Sequence, residues 1–167
     1  MAHEAARLAT RADVARLAEL ATQGEAELAG QRGGGVRALR EARPGPYELA
    51  LGELVAAPDA LVVVGTFDDV IVGFASVRLE PLRDGTSLGV IDDLYVEPEA
   101  RGVGVGEAMM DAIITWAEGQ GARGLDSVAL PGNRATKNFF ERFGLTARAI
   151  LVHRPLGAWA AEDDAAS

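Results

Sequence analysis

The sequence predicts an α+β, or mixed α/β, domain arranged as a three-layer α-β-α sandwich, and three observations carry that expectation. The chain has 167 residues, 49% of them hydrophobic, the size of one ordinary domain with a real core. Short apolar runs alternate with amphipathic stretches, without an internal repeat or a long linker. After a short first strand the order is helices, then a hairpin, then strand, helix, strand, helix, strand, which calls for helices packed on a sheet.

Ala6–Thr10 reads as the first strand. Thr10 followed by Asp13 resembles a capping box with Asp in place of Glu or Gln, and Val14, Leu17, Ala18 and Ala21 follow at helical spacing. Gly33, Gly34 and Gly35 interrupt or follow that helix, since each costs about 1 kcal/mol inside one. Tyr47, Leu51, Leu54 and Val55 mark a second helix, stopped by Pro58-Asp59. Leu61–Val64 and Val70–Leu79, around Phe67-Asp68-Asp69, read as a hairpin with a tight acidic turn. Leu88–Val96 is the next strand, unusual in carrying Asp92 and Asp93 inside an apolar run. A long helix with Trp116 in its core stripe covers Val105–Ala117. A strand over Leu125–Leu130, a helix over Asn133–Phe143 and a last strand over Thr146–Arg154 complete the domain, residues 1–160, before a short acidic tail at 161–167.

Composition removes whole chemistries. With no cysteine there is no disulfide framework, thiolate nucleophile or Cys-ligated zinc. His3 and His153 are the only histidines, too few for a histidine metal cage, so no metal is expected. Twenty-five acidic residues against sixteen basic leave a charge of −9, opposed to nucleic-acid binding. Lys137 is the only lysine. No apolar run reaches membrane-spanning length, and Met1-Ala2-His3-Glu4 does not open a secretory signal. The expectation is a soluble cytoplasmic protein.

The densest signal runs from Leu94 to Gly106. A strand ends near Val96, Pro98 turns the chain, and Gly102, Gly104 and Gly106 lead into a helix. Glycines permit close backbone approach, and the first helical N–H groups lack internal partners, which makes an anion cradle. A Walker loop needs Gly-Lys-Ser/Thr, but Glu107 follows Gly106. A dinucleotide fingerprint needs G-x-G-x-x-G, and the spacing here is G-x-G-x-G.

This segment resembles the GNAT acetyltransferase superfamily. Arg101, Gly104 and Gly106 match its Arg/Gln-x-x-Gly-x-Gly/Ala acetyl-CoA signature, preceded by Leu94, Val96, Pro98, Arg101 and Gly102 in the usual L-x-V-x-P-x-x-R-G. Asn133 to Leu145 match a second signature, roughly N-x-x-A-x-x-F-Y-x-x-x-G-F, and Pro58 to Ala75 look like the family's second and third strands. The resemblance covers most of Thr10 to Pro155. It implies a GNAT-like sandwich with a central, mostly antiparallel, splayed sheet.

The resemblance also implies acetyl-CoA as cosubstrate and a primary amine (small, polyamine-like or on a protein) as acceptor, with direct transfer. A homodimer is the family precedent. The pyrophosphate would sit on backbone N–H groups from Arg101 through Gly102, Val103, Gly104, Val105 and Gly106 to Glu107. Leu94, Tyr95 and Val96 would pair with the pantetheine arm, the Val96 N–H stabilising the oxyanion, and Asn133 would approach the pantetheine. Arg101, Arg134 and Lys137 could meet phosphates.

An ammonium must lose its proton before it attacks, and a nearby carboxylate can take it. Asp92 and Asp93 precede Val96, on opposite faces of a regular strand, and the family pattern points to Asp92 as the base. Asp92, Asp93 and Glu97 together favour a cationic acceptor. Phe140 stands where the family often has a tyrosine that protonates the leaving thiolate. That leaves Tyr95, Tyr47, water or an unaided thiolate for the step, and admits a non-catalytic acyl-CoA-binding protein as the alternative. His153 lies on the strand that lines the acceptor cleft in many relatives, and Arg32–Gly35 lies where they place a mobile acceptor loop.

Overall fold

The computed structural model describes residues 3–160; the expected acidic tail at 161–167 lies outside them. Two compact units account for the described residues, one of residues 3–23 with 43–128 and one of 24–42 with 129–160. The strands are β1 (Glu4–Leu8), β2 (Ala60–Phe67), β3 (Val70–Pro81), β4 (Ser87–Val96) and β5 (Leu125–Asp126). The helices are α1 (Val14–Ala29), α2 (Gly34–Arg40), α3 (Tyr47–Ala56), α4 (Val105–Gly119) and α5 (Arg134–Arg142).

The first unit is a mixed α/β structure around a sheet of order β1-β2-β3-β4-β5. The first four strands pair antiparallel, and β5 joins β4 in parallel at Gly89↔Leu125 and Val90↔Asp126. β2 and β3 turn through Asp68 and Asp69, whose φ of 48° and 65° suits the left-handed geometry of a tight hairpin turn. On one face Leu17, Leu20 and Ala21 of α1 and Leu51 of α3 pack on Val62, Val64 and Phe74. On the other lies α4, burying Val105, Met109, Met110 and Ile113. Each such buried side chain contributes roughly 1.5–3 kcal/mol.

β1 starts two residues earlier than the sequence suggested, because its ladder runs from Glu4↔Phe67 to Leu8↔Val63. The expected cap at Thr10 forms: Asp13 Oδ2 accepts the Thr10 N–H at 2.7 Å. Arg7 grips both Asp13 oxygens at 2.8 and 2.9 Å. That guanidinium, with the Thr10 bonds, holds the buried carboxyl well below the usual aspartate range despite its desolvation.

The second unit contains the end of α1, α2 and α5. The glycine triplet follows α1 as expected, but only Gly33 remains outside a helix, left-handed at φ 78°, and α2 begins at Gly34. Arg37 of α2 holds Glu25 through two bonds of 2.6 and 3.1 Å. The Phe139 ring of α5 lies 5.9 Å from that of Phe140 and 5.2 Å from that of Phe143, centroid to centroid.

Two expected strands differ. Leu125–Leu130 shortens to the two residues paired with β4, and Thr146–Arg154 forms no strand. Ile150, Leu151 and Val152 are 84%, 79% and 87% exposed. An apolar, β-branched run describes a chain suited to a pleated surface, but a strand exists only where a neighbour completes its ladder. Among the described residues no helix is long and apolar enough to cross a membrane.

Candidate active site

The site in the first unit is built on the second half of β4 and the turn after it. Opposite β3 the register steps from Val77↔Ile91 to Ser76↔Asp93, so Asp92 is an extra residue, a β-bulge. The bulge corrects the expectation of opposite faces for the two aspartates. Asp93 accepts a short bond from Ser76 and Asp92 accepts Arg78 Nε at 2.9 Å. Ser76 and Arg78 are two apart on β3 and share a face, so both carboxylates lie on the side of α1 and α3. The bulge also keeps Ile91 and Leu94 in register with Val77 and Ala75 on the α4 side. A spacing of three between those apolar residues, where a regular strand gives two, is the signal that sequence reasoning passed over.

Each acid on this face carries an arginine. Asp93 is bound through both oxygens by Arg43, at 3.1 and 2.6 Å. Glu97, just past β4, holds Arg16 at 2.8 Å, and the same guanidinium donates to the Ile71 carbonyl at 3.0 Å. Asp92 has Arg78, which also reaches Glu80 at 3.1 Å. Burial pushes the Asp92 carboxyl above the ordinary aspartate range, against the attraction of Arg78 and with the help of neighbouring Asp93. Three carboxylates expected to attract a cation are therefore already paired with arginines, and nothing local in the sequence says which arginines these are.

Toward the end of β4 the Glu97 N–H donates to the Val72 carbonyl at 2.8 Å. In an antiparallel ladder this bonding alternates, so the N–H groups of Leu94 and Val96 point away from β3. On that side β5 pairs only as far as Val90, and Ser127 reaches the Ile91 carbonyl at 3.3 Å. The Tyr95 ring faces the α1 side and its hydroxyl donates to Gln23 at 3.2 Å.

After one 3-10 turn at Pro98–Ala100, Gly102 and Gly104 adopt φ of 78° and 94°, and α4 begins at Val105. Both left-handed positions favour glycine. The helical ladder opens with the Ala108 N–H on the Gly104 carbonyl, so the N–H groups of Val105 and Gly106 precede it and face the turn. A Cβ at Gly102 would meet nothing within 4 Å, which leaves that side of the turn open to a ligand. Arg101 folds back: Nε donates to the Val96 carbonyl at 2.8 Å and the guanidinium lies 5.6 Å from the Tyr95 ring centre. Its side chain thereby ties the turn to the strand.

In the second unit Asn133 caps α5, accepting the Thr136 N–H at 3.0 Å and donating to Gln31 at 3.1 Å. Phe140 is buried at 7% exposure. Arg134 is the first residue of α5, and Lys137 pairs with Glu141 at 2.7 Å. His153 is exposed. Among the described residues no group of three or more His, Asp or Glu is placed to hold a metal ion.

Known proteins resemble this chain in sequence and in fold. The chain is 35% identical over 86 residues to an aminoglycoside N(6')-acetyltransferase type 1 of Stenotrophomonas maltophilia, covering 49% of this chain and 56% of that protein. It is 34% identical over 79 residues to a glucosamine 6-phosphate N-acetyltransferase of Trypanosoma brucei brucei, covering 46% and 52%. The matches thus span about half the length of these curated relatives. Among solved structures, a tetramutant of the BH1408 protein from Bacillus halodurans superposes with a TM-score of 0.75 at 22% identity, over 90% of this chain and 99% of that one. AAC(6')-Iy, bound to the bisubstrate analog CoA-S-monomethyl-acetylneamine, gives 0.69 at 18% identity, over 93% and 99%. The acetyltransferase (GNAT) family pattern itself matches residues 36–145, about two thirds of the sequence, and the chain belongs to that family.

Proposed function

We propose that the protein is an N-acetyltransferase that moves acetyl from acetyl-CoA directly to a primary amine. The observation that carries this reading is the continuity of β4 with the turn. A strand end with outward N–H groups at Leu94 and Val96 runs within a few residues into two left-handed glycines and the start of α4. The turn from Arg101 to Glu107 would hold the pyrophosphate through backbone N–H groups and the helix dipole. Leu94, Tyr95 and Val96 would align the pantetheine arm and acetyl carbonyl, with the Val96 N–H opposite the developing oxyanion. Asn133 as a pantetheine contact rests on the sequence match alone.

Asp92 would be the base. It lies on the α1 side, half-exposed, and its carboxyl is shifted upward toward a range in which it can accept a proton. The amine nitrogen attacks the acetyl carbonyl, its proton passes to Asp92 directly or through water, and the carbon–sulfur bond breaks to release CoA thiolate. Phe140 has no hydroxyl to protonate that thiolate, which at a thiol pKa of about 8.5 is a tolerable leaving group unaided. Because Asp93 and Glu97 are bound by Arg43 and Arg16, a monoamine or amino sugar suits this face better than a polyamine. A cytoplasmic homodimer belongs to the same proposal.

Calorimetric titration with acetyl-CoA, followed by a thiol-release screen over amino sugars, aminoglycosides, polyamines and peptides, tests the reading. Binding with turnover of at least one amine is expected. Absence of acetyl-CoA binding would overturn it, and binding without turnover of any amine would leave an acyl-CoA-binding protein, the reading that Phe140 favours.

A further inference from the structure

The three ion pairs on the acceptor side of β4 differ in how far they are withdrawn from water. Arg43 and Asp93 are 16% and 11% exposed, and Arg16 and Glu97 are 30% and 23%. Arg78 and Asp92 are 42% and 35% exposed, the most open of the three. The partners differ as well. Arg43 spends its fork on both oxygens of one carboxylate, a rigid two-point contact. Arg78 instead divides its fork, with Nε on Asp92 and Nη1 on Glu80. Glu80 lies two residues further along β3, on the same face and nearer the exposed strand end.

We infer that Arg78 is a placeholder cation, occupying Asp92 in the free protein and yielding it to the ammonium of the incoming acceptor while remaining held by Glu80. The inference rests on the proposed acceptor side but concerns binding, which can be measured without transfer. An exposed ion pair is worth little and exchanges readily, whereas the more enclosed, two-point Arg43–Asp93 pair costs more to open. Arg78 keeps the bulged carboxylate ionised and oriented until a second cation arrives, and Glu80 prevents the displaced guanidinium from being left without a partner. Asp92 is surrounded by Arg78 and Glu80 from β3, Asp93 from β4 and Arg43 from the segment before α3. Asp126 of β5 lies in register with Val90, two residues before it. Arg78 is thus a specificity-determining and positioning residue: it sets how strongly a cation must bind to reach Asp92.

The test is calorimetric titration of neamine, a small polycationic aminoglycoside fragment, into wild type, Arg78→Gln, Arg78→Lys and Arg78→Gln/Asp92→Asn in the absence of acetyl-CoA. Removing the internal competitor is expected to tighten neamine binding about two- to fivefold in Arg78→Gln. Arg78→Lys should remain near wild type, and the double variant should lose the gain. In parallel, the Asp92 carboxyl followed by carbon NMR should titrate at higher pH in Arg78→Gln than in wild type, since an attractive cation has gone. A loosened fold would weaken binding in every variant and would not move the titration in this direction. Equal or weaker binding by Arg78→Gln, or no neamine binding to any of the four proteins, overturns the placeholder. Neamine binding with the expected ranking, but no thiol release from acetyl-CoA with any amine, leaves the placeholder standing and removes the transferase.

Discussion

The two faces of the sheet are built by opposite means. Toward α4 the sheet is shaped by absence: a Cβ at Gly65 would stand 2.5 Å from Val105 Cγ1 and 2.9 Å from Met109 Sδ, and one at Gly73 would stand 2.6 Å from the Tyr95 carbonyl. These neighbouring glycines, paired across β2 and β3, let the first turns of α4 sit directly on the sheet. Toward α1 and α3, beside the apolar cluster, β4 is shaped by charge, each acid matched by an arginine. One face positions a helix end through close packing, which tolerates little change in volume. The other holds ionisable groups in balance, and that balance can shift with a ligand or with pH. The difference separates a fixed side, which the proposed function gives to the cofactor, from an adjustable side, which it gives to the acceptor.

The comparison breaks most sharply at Asp92. Asp92→Asn is expected to lower kcat about 10²–10⁴-fold on the best amine, the range for a general base. Its thermal midpoint should hold or rise slightly. Burial raises this carboxyl, so the folded state resists the ionised form, and stability attributable to Asp92 declines as pH climbs from the ordinary aspartate value through the raised one. A kinetic assay paired with thermal unfolding reads both effects, and unchanged turnover would remove Asp92 from its role.

On the packed face Gly65→Ala is expected to cost about 2 kcal/mol through overpacking, seen as a drop of about 4–8 °C in the melting midpoint. Weaker acetyl-CoA binding should accompany it as the start of α4 is pushed away. A smaller effect belongs to Asp13, whose charge is held by Arg7 and Thr10. Asp13→Asn should cost about 1–2 kcal/mol at pH 7. The wild-type advantage is full above the unfolded carboxylate value of about 4 and is lost progressively as pH falls toward the much lower folded value, so in denaturant melts the gap between wild type and Asp13→Asn should narrow from pH 7 to pH 3 without closing. Smallest is Glu4, whose Cγ would lie 2.9 Å from a Cβ on Gly104, placing an acidic side chain beside the start of α4. Glu4→Gln should tighten acetyl-CoA binding about twofold by removing an acid from the positive helix end.

The glycine turn, α4 and the hairpin were legible because their signals are local: glycine spacing, a three- and four-residue apolar stripe, and two acids at a tight turn. Helix α3 and the Thr10–Asp13 cap were legible for the same reason. The partners of the acids were not, since Arg43 lies 50 residues from Asp93 and Arg16 lies 81 from Glu97. A formal charge count could therefore suggest a cation-seeking face where the fold places balanced pairs. The bulge escaped because regular alternation was assumed through Asp92. The run at Thr146–Arg154 misled because strand propensity says nothing about whether a ladder partner exists.

By itself the sequence determined the family, most of the order of elements and the position of the glycine turn, all consequences of short-range periodicity and of backbone conformations that only glycine adopts easily. It also closed off cysteine chemistry outright. The tertiary structure decided which carboxylate is buried against which guanidinium, that Asp92 and Asp93 share a face, and that Arg101 turns back onto β4. Those are outcomes of residues remote in sequence meeting in space, where desolvation and pairing set the charge a side chain can present.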